Sequence, residues 1–229
     1  MDELERAARR YRERDASAAL TGFWTLRNPV VLHTMQERER AVLQAFANAG
    51  VDLAGRRILD VGCGLGIEFP NLLRWGAEVG TLYGVDLMQE RLQAARRRSG
   101  AALACASASA LPFADASFDL VSQNVVFSSI VDDATRLAAA AEMLRVLRPG
   151  GWLLWYDAFR SRGSDPHFRV VPRTQVERLF PGVVWAFRTL TSDIGVALRA
   201  QRWLGEWSLP VLDGTRLLHT HLLGLGRRA

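Results

Sequence analysis

The sequence contains no lysine, so all 29 of its basic residues are arginine. This absence excludes a mechanism in which a lysine acts as the general base or forms a Schiff base with the substrate. The formal net charge is +5, but most arginines stand beside acids in helical patterns. The tightest cluster, Arg96–Arg98, falls where a helix is predicted to end, and cations are favoured there. We therefore predict solvated helix faces, with a nucleic-acid patch as the alternative.

Cysteine is also scarce, and Cys63 and Cys105 lie far apart without metal-ligand spacing. We expect free thiols, as is usual in a reducing compartment. No apolar run approaches the roughly 18–20 residues that span a bilayer. The charged N-terminus lacks the apolar core of a secretory signal. These absences predict a cytoplasmic protein.

Helical patterns fill about the first fifty residues, interrupted by "TGFWTLRNP", and the second pattern ends at Gly50, a plausible cap. From Arg57 onward, strand and helix patterns alternate, which predicts a parallel sheet with helices on both faces. The strand "WLLWYDAF" is expected to start after the "PGG" break. Two late strands, "VVWAFRTLTS" and "LLHTHLLGLGRR", flank the helical pattern "VALRAQRWLGEWS".

A glycine loop follows the first predicted strand in "RILDVGCGLG", where Gly62, Gly64 and Gly66 alternate. Glycines between a strand and a helix allow a tight turn and close approach of a ligand to the backbone. Asp86 ends the next strand and could accept both hydroxyl hydrogens of a ribose. Asp60, directly before the loop, would repel the pyrophosphate of a nicotinamide dinucleotide but would attract a cationic amine. The pattern predicts a nucleoside cofactor with a cationic amino-acid tail.

Four stretches in order, "ILDVGCGLG", "YGVDLMQERLQAAR", "ASALPFADASFDLVSQNVVF" and "EMLRVLRPGGWLLWYD", resemble the motifs of class I S-adenosylmethionine-dependent methyltransferases. The resemblance covers about Arg57 to Asp157 and is closest to bacterial small-molecule enzymes of the ubiquinone/menaquinone type, or type 11. It implies an α/β, Rossmann-like, doubly wound fold. The expected seven-stranded sheet is mostly parallel with an antiparallel last strand.

The resemblance also implies one methyltransferase domain over residues 1–229. Residues 1–50 would form a helical N-terminal lid, and residues 57–157 the cofactor-binding core. Residues 158–229 would hold a substrate-side insert and the final strands. We expect a monomer or a homodimer.

By resemblance, the cofactor is S-adenosylmethionine and the product S-adenosylhomocysteine. The methionyl and ribose parts would contact the glycine loop, and the ribose hydroxyls would contact Asp86. The adenine would contact the segments after the second and third strands. A surface role for Met88 is the alternative. Ser107 stands where many relatives have Asp, so the backbone of Ala108 is an alternative adenine contact. The cofactor-binding residues implied are Asp60, Gly62, Cys63, Gly64, Gly66, Asp86, Leu87, Met88, Ser107, Ala108, Ser109 and Gln123.

A catalytic base is optional, because a sulfonium is already an excellent leaving group. Candidates are Asp157 at a strand end, His167 in the segment after it, and His33 on the helix expected to cover the site. A structural carboxylate is the alternative for Asp157. His219 and His221 share one strand face, but the sequence shows no third ligand, so we predict no metal.

The predicted function is methyl transfer to a small-molecule acceptor, with O-methylation favoured and N- or C-methylation open. RNA or protein methylation and a non-catalytic cofactor-binding protein remain alternatives. Neither nucleic acid nor a membrane is an expected partner.

Overall fold

The protein is described by a computed structural model that covers residues 3–17, 22–161 and 165–229. Helix α1 spans Glu3–Ala16 and helix α2 spans Pro29–Ala49. At the start of α2 the Asn28 side chain accepts a hydrogen bond from the Val30 N–H. The helix ends at Gly50, whose φ of 65° is left-handed, so the predicted cap is confirmed. The end of the first predicted helix, at residues 18–20, lies outside the described residues.

Seven strands form one sheet in the order β3-β2-β1-β4-β5-β7-β6. Strand β7 runs antiparallel to β5 and β6, whereas the other pairs are parallel, which confirms the predicted fold class. The strands are β1 (Ile58–Val61), β2 (Leu82–Asp86), β3 (Ala102–Cys105), β4 (Phe118–Asn124), β5 (Leu147–Ala158), β6 (Val183–Ser192) and β7 (His219–Arg228).

Helices cover both faces of this sheet. Three predicted helices are present: α3 (Glu68–Arg74), α4 (Gln89–Ser99) and α5 (Asp133–Val146). The late helical pattern forms α7 (Ile194–Leu204). Two helices were not predicted, α6 (Arg173–Leu179) and α8 (Ser208–Thr215).

Strand β5 differs from its prediction because it already begins at Leu147 and includes the "PGG" segment. Its pairing with β4 shifts register between Phe118 and Leu120. Such an irregularity tolerates proline and glycine within a strand, so they do not end it.

The strand order turns at β1, whose neighbours are β2 on one side and β4 on the other. In open parallel sheets, ligands bind at such a point, beyond the carboxyl ends of the strands. Helix α1 reaches this edge: its Tyr11 hydroxyl bonds Ser129 Oγ at 2.9 Å, after β4, and Arg10 bonds Asp165 at 2.7 Å, after β5. Among the described residues, none of the helices has the length and apolar character needed to cross a membrane.

Candidate active site

The glycine loop is fastened to the end of β2 by backbone hydrogen bonds. The N–H groups of Gly62 and Cys63 donate to the carbonyl oxygen of Val85 at 2.7 and 2.9 Å. The Gly64 N–H donates to Asp86 Oδ2 at 2.9 Å. The ends of β1 and β2 therefore form one rigid corner.

Each glycine of this loop faces a different neighbour. A Cβ on Gly62 would lie 2.4 Å from Val126 Cγ2, and one on Gly66 would lie 2.9 Å from Ala95 Cβ. The packing of the chain itself thus requires these two glycines. At Gly64 the neighbour is the guanidinium of Arg91, 3.1 Å from the Cβ position. A flexible side chain can move aside, so the backbone at Gly64 can become accessible to a ligand.

Asp60, at the end of β1, is 3% exposed, and its Oδ1 accepts a hydrogen bond from Ser122 Oγ at 2.8 Å. Burial raises its pKa to about 7, and the nearby charges of Glu68 and Asp86 add to the increase. The hydrogen bond from Ser122 and the charge of Arg38 oppose this increase. A cationic group beside Asp60 would restore its ionised form.

Arg38 and Glu68 form a buried ion pair that sequence reasoning missed. Two nitrogens of Arg38 donate to the two carboxylate oxygens of Glu68 at 2.9 and 3.0 Å. The guanidinium also lies 4.9 Å from the centre of the Tyr156 ring. The pair joins α2 to the helix that follows the glycine loop. In the sequence, the only indication of this ion pair was that an Arg and a Glu each stand within an apolar helical pattern.

Asp86 is the last residue of β2 and is 7% exposed, and its carboxylate is held by backbone N–H groups of its neighbours. Its Oδ1 accepts from the Met88 N–H at 3.0 Å, in addition to the bond from the loop to Oδ2. Arg91 Nη1 lies 4.0 Å from Oδ2, so this guanidinium would have to move before that oxygen could accept a hydroxyl. Met88 is 4% exposed, so the alternative of a surface role is wrong. Leu87 is half-buried beside it.

The segment after β3 lies against the same strand end. The Ala106 N–H donates to the Asp86 carbonyl at 3.1 Å. Ser107 Oγ lies 2.8 Å from Ser109 Oγ and also accepts from the Ser109 N–H at 3.2 Å. These contacts place the segment of Ser107, Ala108 and Ser109 next to the end of β2, and its contact with adenine stays a prediction.

Gln123, near the end of β4, is 1% exposed. Its amide nitrogen donates to the Tyr156 carbonyl at 3.3 Å, and its amide oxygen accepts from the Val126 N–H at 3.0 Å. Between them Val125 has a φ of 56°, which is strained for a β-branched residue. Gln123 thus holds the turn that presses Val126 onto the glycine loop.

Asp157 is fully buried, and burial raises its pKa to about 6. Its carboxylate accepts from the backbone N–H groups of Ser128 at 3.2 Å and Ala158 at 2.8 Å. This arrangement favours the structural alternative over a contact with substrate.

The two histidine candidates occupy different surroundings. His33 Nε2 lies 2.5 Å from Asp213 Oδ2, so this nitrogen is engaged. His167 is half-buried after β5, and its carbonyl accepts from Arg10 of α1. The structure therefore brings the proposed cofactor residues to one edge but separates the proposed bases among distinct clusters.

Comparisons with known proteins agree with this geometry. Residues 59–155 match a family model described as a methyltransferase domain. A ubiquinone biosynthesis O-methyltransferase of Methylococcus capsulatus is 32% identical over 142 residues, 56% of this chain and 57% of the relative. The chain spans about half the length of the curated relatives that it matches, 57%, 48% and 51% in three cases.

Solved structures share the fold. An S-adenosylmethionine-dependent methyltransferase from Mesorhizobium loti gives a TM-score of 0.58 at 20% identity, covering 83% of this chain and 97% of the other. The [4+2]-cyclase SpnF gives 0.59 at 22%, covering 84% and 81%. Given the strand order, the glycine loop and the family match, residues 59–155 of this chain form a methyltransferase domain.

Proposed function

We propose that the protein binds S-adenosylmethionine at the ends of β1 and β2 and transfers its methyl group to a small-molecule acceptor. The observation that carries the proposal is the corner at the ends of β1 and β2, where two buried carboxylates, Asp60 and Asp86, adjoin the glycine loop. Burial and neighbouring carboxylates raise the pKa of Asp60 to about 7 and so disfavour its charge. The ammonium of a methionyl tail would supply a positive charge at that point.

The other residues bind and orient. Asp86 would accept the ribose hydroxyls, Met88 and Leu87 would contact the adenine, and Ser107 would contact its edge. The bound cofactor would supply the activated methyl group, and these residues would hold and orient it. Gln123 keeps Val126 against the glycine loop.

The acceptor is expected to be an oxygen nucleophile, as in the O-methyltransferase relative. Its proton would pass to solvent or to His167, beside α1. His33 is a poorer candidate for this role because Asp213 engages its Nε2. We likewise assign Asp157 a structural role because its carboxylate is fully buried. A cytoplasmic location, a single domain over residues 1–229, and a monomer or homodimer remain proposals.

Calorimetry with S-adenosylmethionine and S-adenosylhomocysteine tests the binding step. We expect saturable 1:1 binding that Asp86→Ala weakens at least about a hundredfold. Two lost hydrogen bonds to a carboxylate amount to about 3–6 kcal/mol, and 1.4 kcal/mol is tenfold. Asp115→Ala is the control, because Asp115 is exposed and pairs with Arg145. Absence of heat with either nucleoside, or unchanged affinity in Asp86→Ala, contradicts the proposal.

Methyl transfer is tested separately with isotope-labelled S-adenosylmethionine and a panel of phenols, catechols and carboxylic acids. Labelled product supports the proposed reaction. The likeness to the fold of a [4+2]-cyclase makes a non-methylating protein the second candidate. Tight cofactor binding without label transfer to small molecules, RNA or protein would favour it.

A further inference from the structure

Three side chains with metal-binding donor atoms, from three segments, meet beside the end of β6 and the start of β7, and His33 lies next to them. His33 and Glu37 are four residues apart on α2, so they share one helix face. Asp213 comes from α8, and His219 is the first residue of β7. Glu37, Asp213 and His219 offer donor atoms that all lie within 4.8 Å of one another, and His33 Nε2 is 2.5 Å from Asp213 Oδ2.

Neighbouring groups orient both carboxylates. The Thr191 N–H donates to Glu37 Oε2 at 3.0 Å, and Ser192 Oγ donates to Asp213 Oδ1 at 2.5 Å. Thr191 holds its N–H there with a φ of 62°, which is costly for a β-branched residue. Metal-binding carboxylates are commonly held by such outer hydrogen bonds.

The imidazole of His219 is oriented in the same manner. Its Nε2 lies 3.0 Å from the Asp213 carbonyl oxygen, a hydrogen bond that requires a proton on Nε2. The lone pair then resides on Nδ1, which faces the Thr189 hydroxyl at 2.9 Å. A ligating histidine usually donates its other ring N–H to a carbonyl or carboxylate, and a hydroxyl can rotate away.

Two carboxylates at this place concentrate negative charge. His33 is the only histidine among the described residues in ion-pair contact with Asp213. A divalent cation would balance both carboxylates.

We propose that Glu37, Asp213 and His219 bind one divalent transition-metal ion, with Zn²⁺ as the best match. One imidazole nitrogen and two carboxylate oxygens are donors that Zn²⁺ accepts, and water would fill the fourth position. The ion would join α2 to α8 and β7. Glu37 and Asp213 are the further ligands for His219 that the sequence did not show.

The metal site is separate from the proposed cofactor site. Strand β6, which ends at Ser192, is four strand spacings from β1, or about 19 Å at the usual spacing. The ion would therefore stabilise the packing of α2 on α8 and β7. Metal binding is measured without cofactor, so its failure would not affect the proposed function.

The test uses the full chain without a histidine tag, in a Cys105→Ser background because that thiol is exposed. Zn²⁺ is titrated calorimetrically, and Co²⁺ is followed by its visible absorption. We expect one ion per chain and a melting temperature that rises with Zn²⁺. Ser192→Ala should weaken Zn²⁺ binding about 10–100-fold as an outer-shell change, and Glu37→Gln at least as much. Glu39→Gln, on the same helix but paired with Arg74, should bind as the parent does.

Two results would overturn the proposal. One is the absence of saturable Zn²⁺ and Co²⁺ binding by the parent protein, which depends on no variant folding. The other is parental affinity in both Glu37→Gln and His219→Gln, which would show that the ion binds elsewhere.

Discussion

The affinity for S-adenosylhomocysteine should depend on pH through Asp60. Its pKa of about 7 means that only part of the free protein has an ionised Asp60 near neutrality. If the ligand's ammonium requires the carboxylate, the apparent affinity scales with the ionised fraction. That fraction falls about tenfold from about pH 8 to about pH 6, so affinity should fall about tenfold. The ligand's ammonium remains protonated over this range.

Whereas the affinity should rise with pH, the free energy of unfolding of the free protein should fall as pH rises. The folded pKa of Asp60, about 7, exceeds its ordinary value of 3.8, so the native state binds this proton more tightly than the unfolded state. The contribution of Asp60 to the free energy of unfolding is therefore present at acidic pH and is lost as pH rises through 7. Urea denaturation at several pH values measures this trend.

The assay is calorimetric titration with S-adenosylhomocysteine between about pH 6 and pH 8, the range over which Asp60 ionises. Asp60→Asn is the matched variant, because an amide oxygen can still accept from Ser122 Oγ. We expect weaker binding with a flat pH profile in this variant. A flat profile in the wild type, or an unchanged slope in Asp60→Asn, would refute the pairing of Asp60 with the amine.

Two further predictions concern stability, each followed by urea denaturation. Arg38→Met should lower the free energy of unfolding by about 3–5 kcal/mol because it leaves Glu68 buried without its partner, whereas Arg38→Met with Glu68→Leu should recover most of the loss. Equal loss in the single and double variants would contradict this reasoning. Gly66→Ala should cost about 1–3 kcal/mol from overpacking, because its Cβ would lie 2.9 Å from Ala95 Cβ. Gly55→Ala is the control, because Gly55 has a similar φ of 66° and no other atom lies within 4 Å of its Cβ position. This variant should show only the cost of the backbone conformation. Equal losses in the two variants would rule out the packing argument.

Local patterns determined the order of the elements and the place of the cofactor corner. The acid and glycines around the end of β1, and the acid that ends β2, can each be recognised from a few neighbouring residues. Because the carboxyl ends of parallel strands lie at one edge of the sheet, these groups were expected to lie together. The resemblance supported the same assignments. The missed helix Ser208–Thr215 contains Pro210 and Gly214, so its sequence lacks a clear helical signal. The early start of β5 depended on pairing with β4 and not on local propensity.

The sequence by itself determined the α/β architecture, the glycine loop and the acids beside it, because these depend on periodicity and on spacing along the chain. Only the tertiary structure decided which side chains from distant parts of the sequence contact one another. Arg38 with Glu68, Arg91 over Gly64, and His33 with Asp213 are separated by 30, 27 and 180 positions. Side chains so far apart in sequence become neighbours through helix packing, and one chain carries no local signal of that proximity. For the same reason the sequence alone could not show that Asp157 is buried or that His219 has carboxylate neighbours.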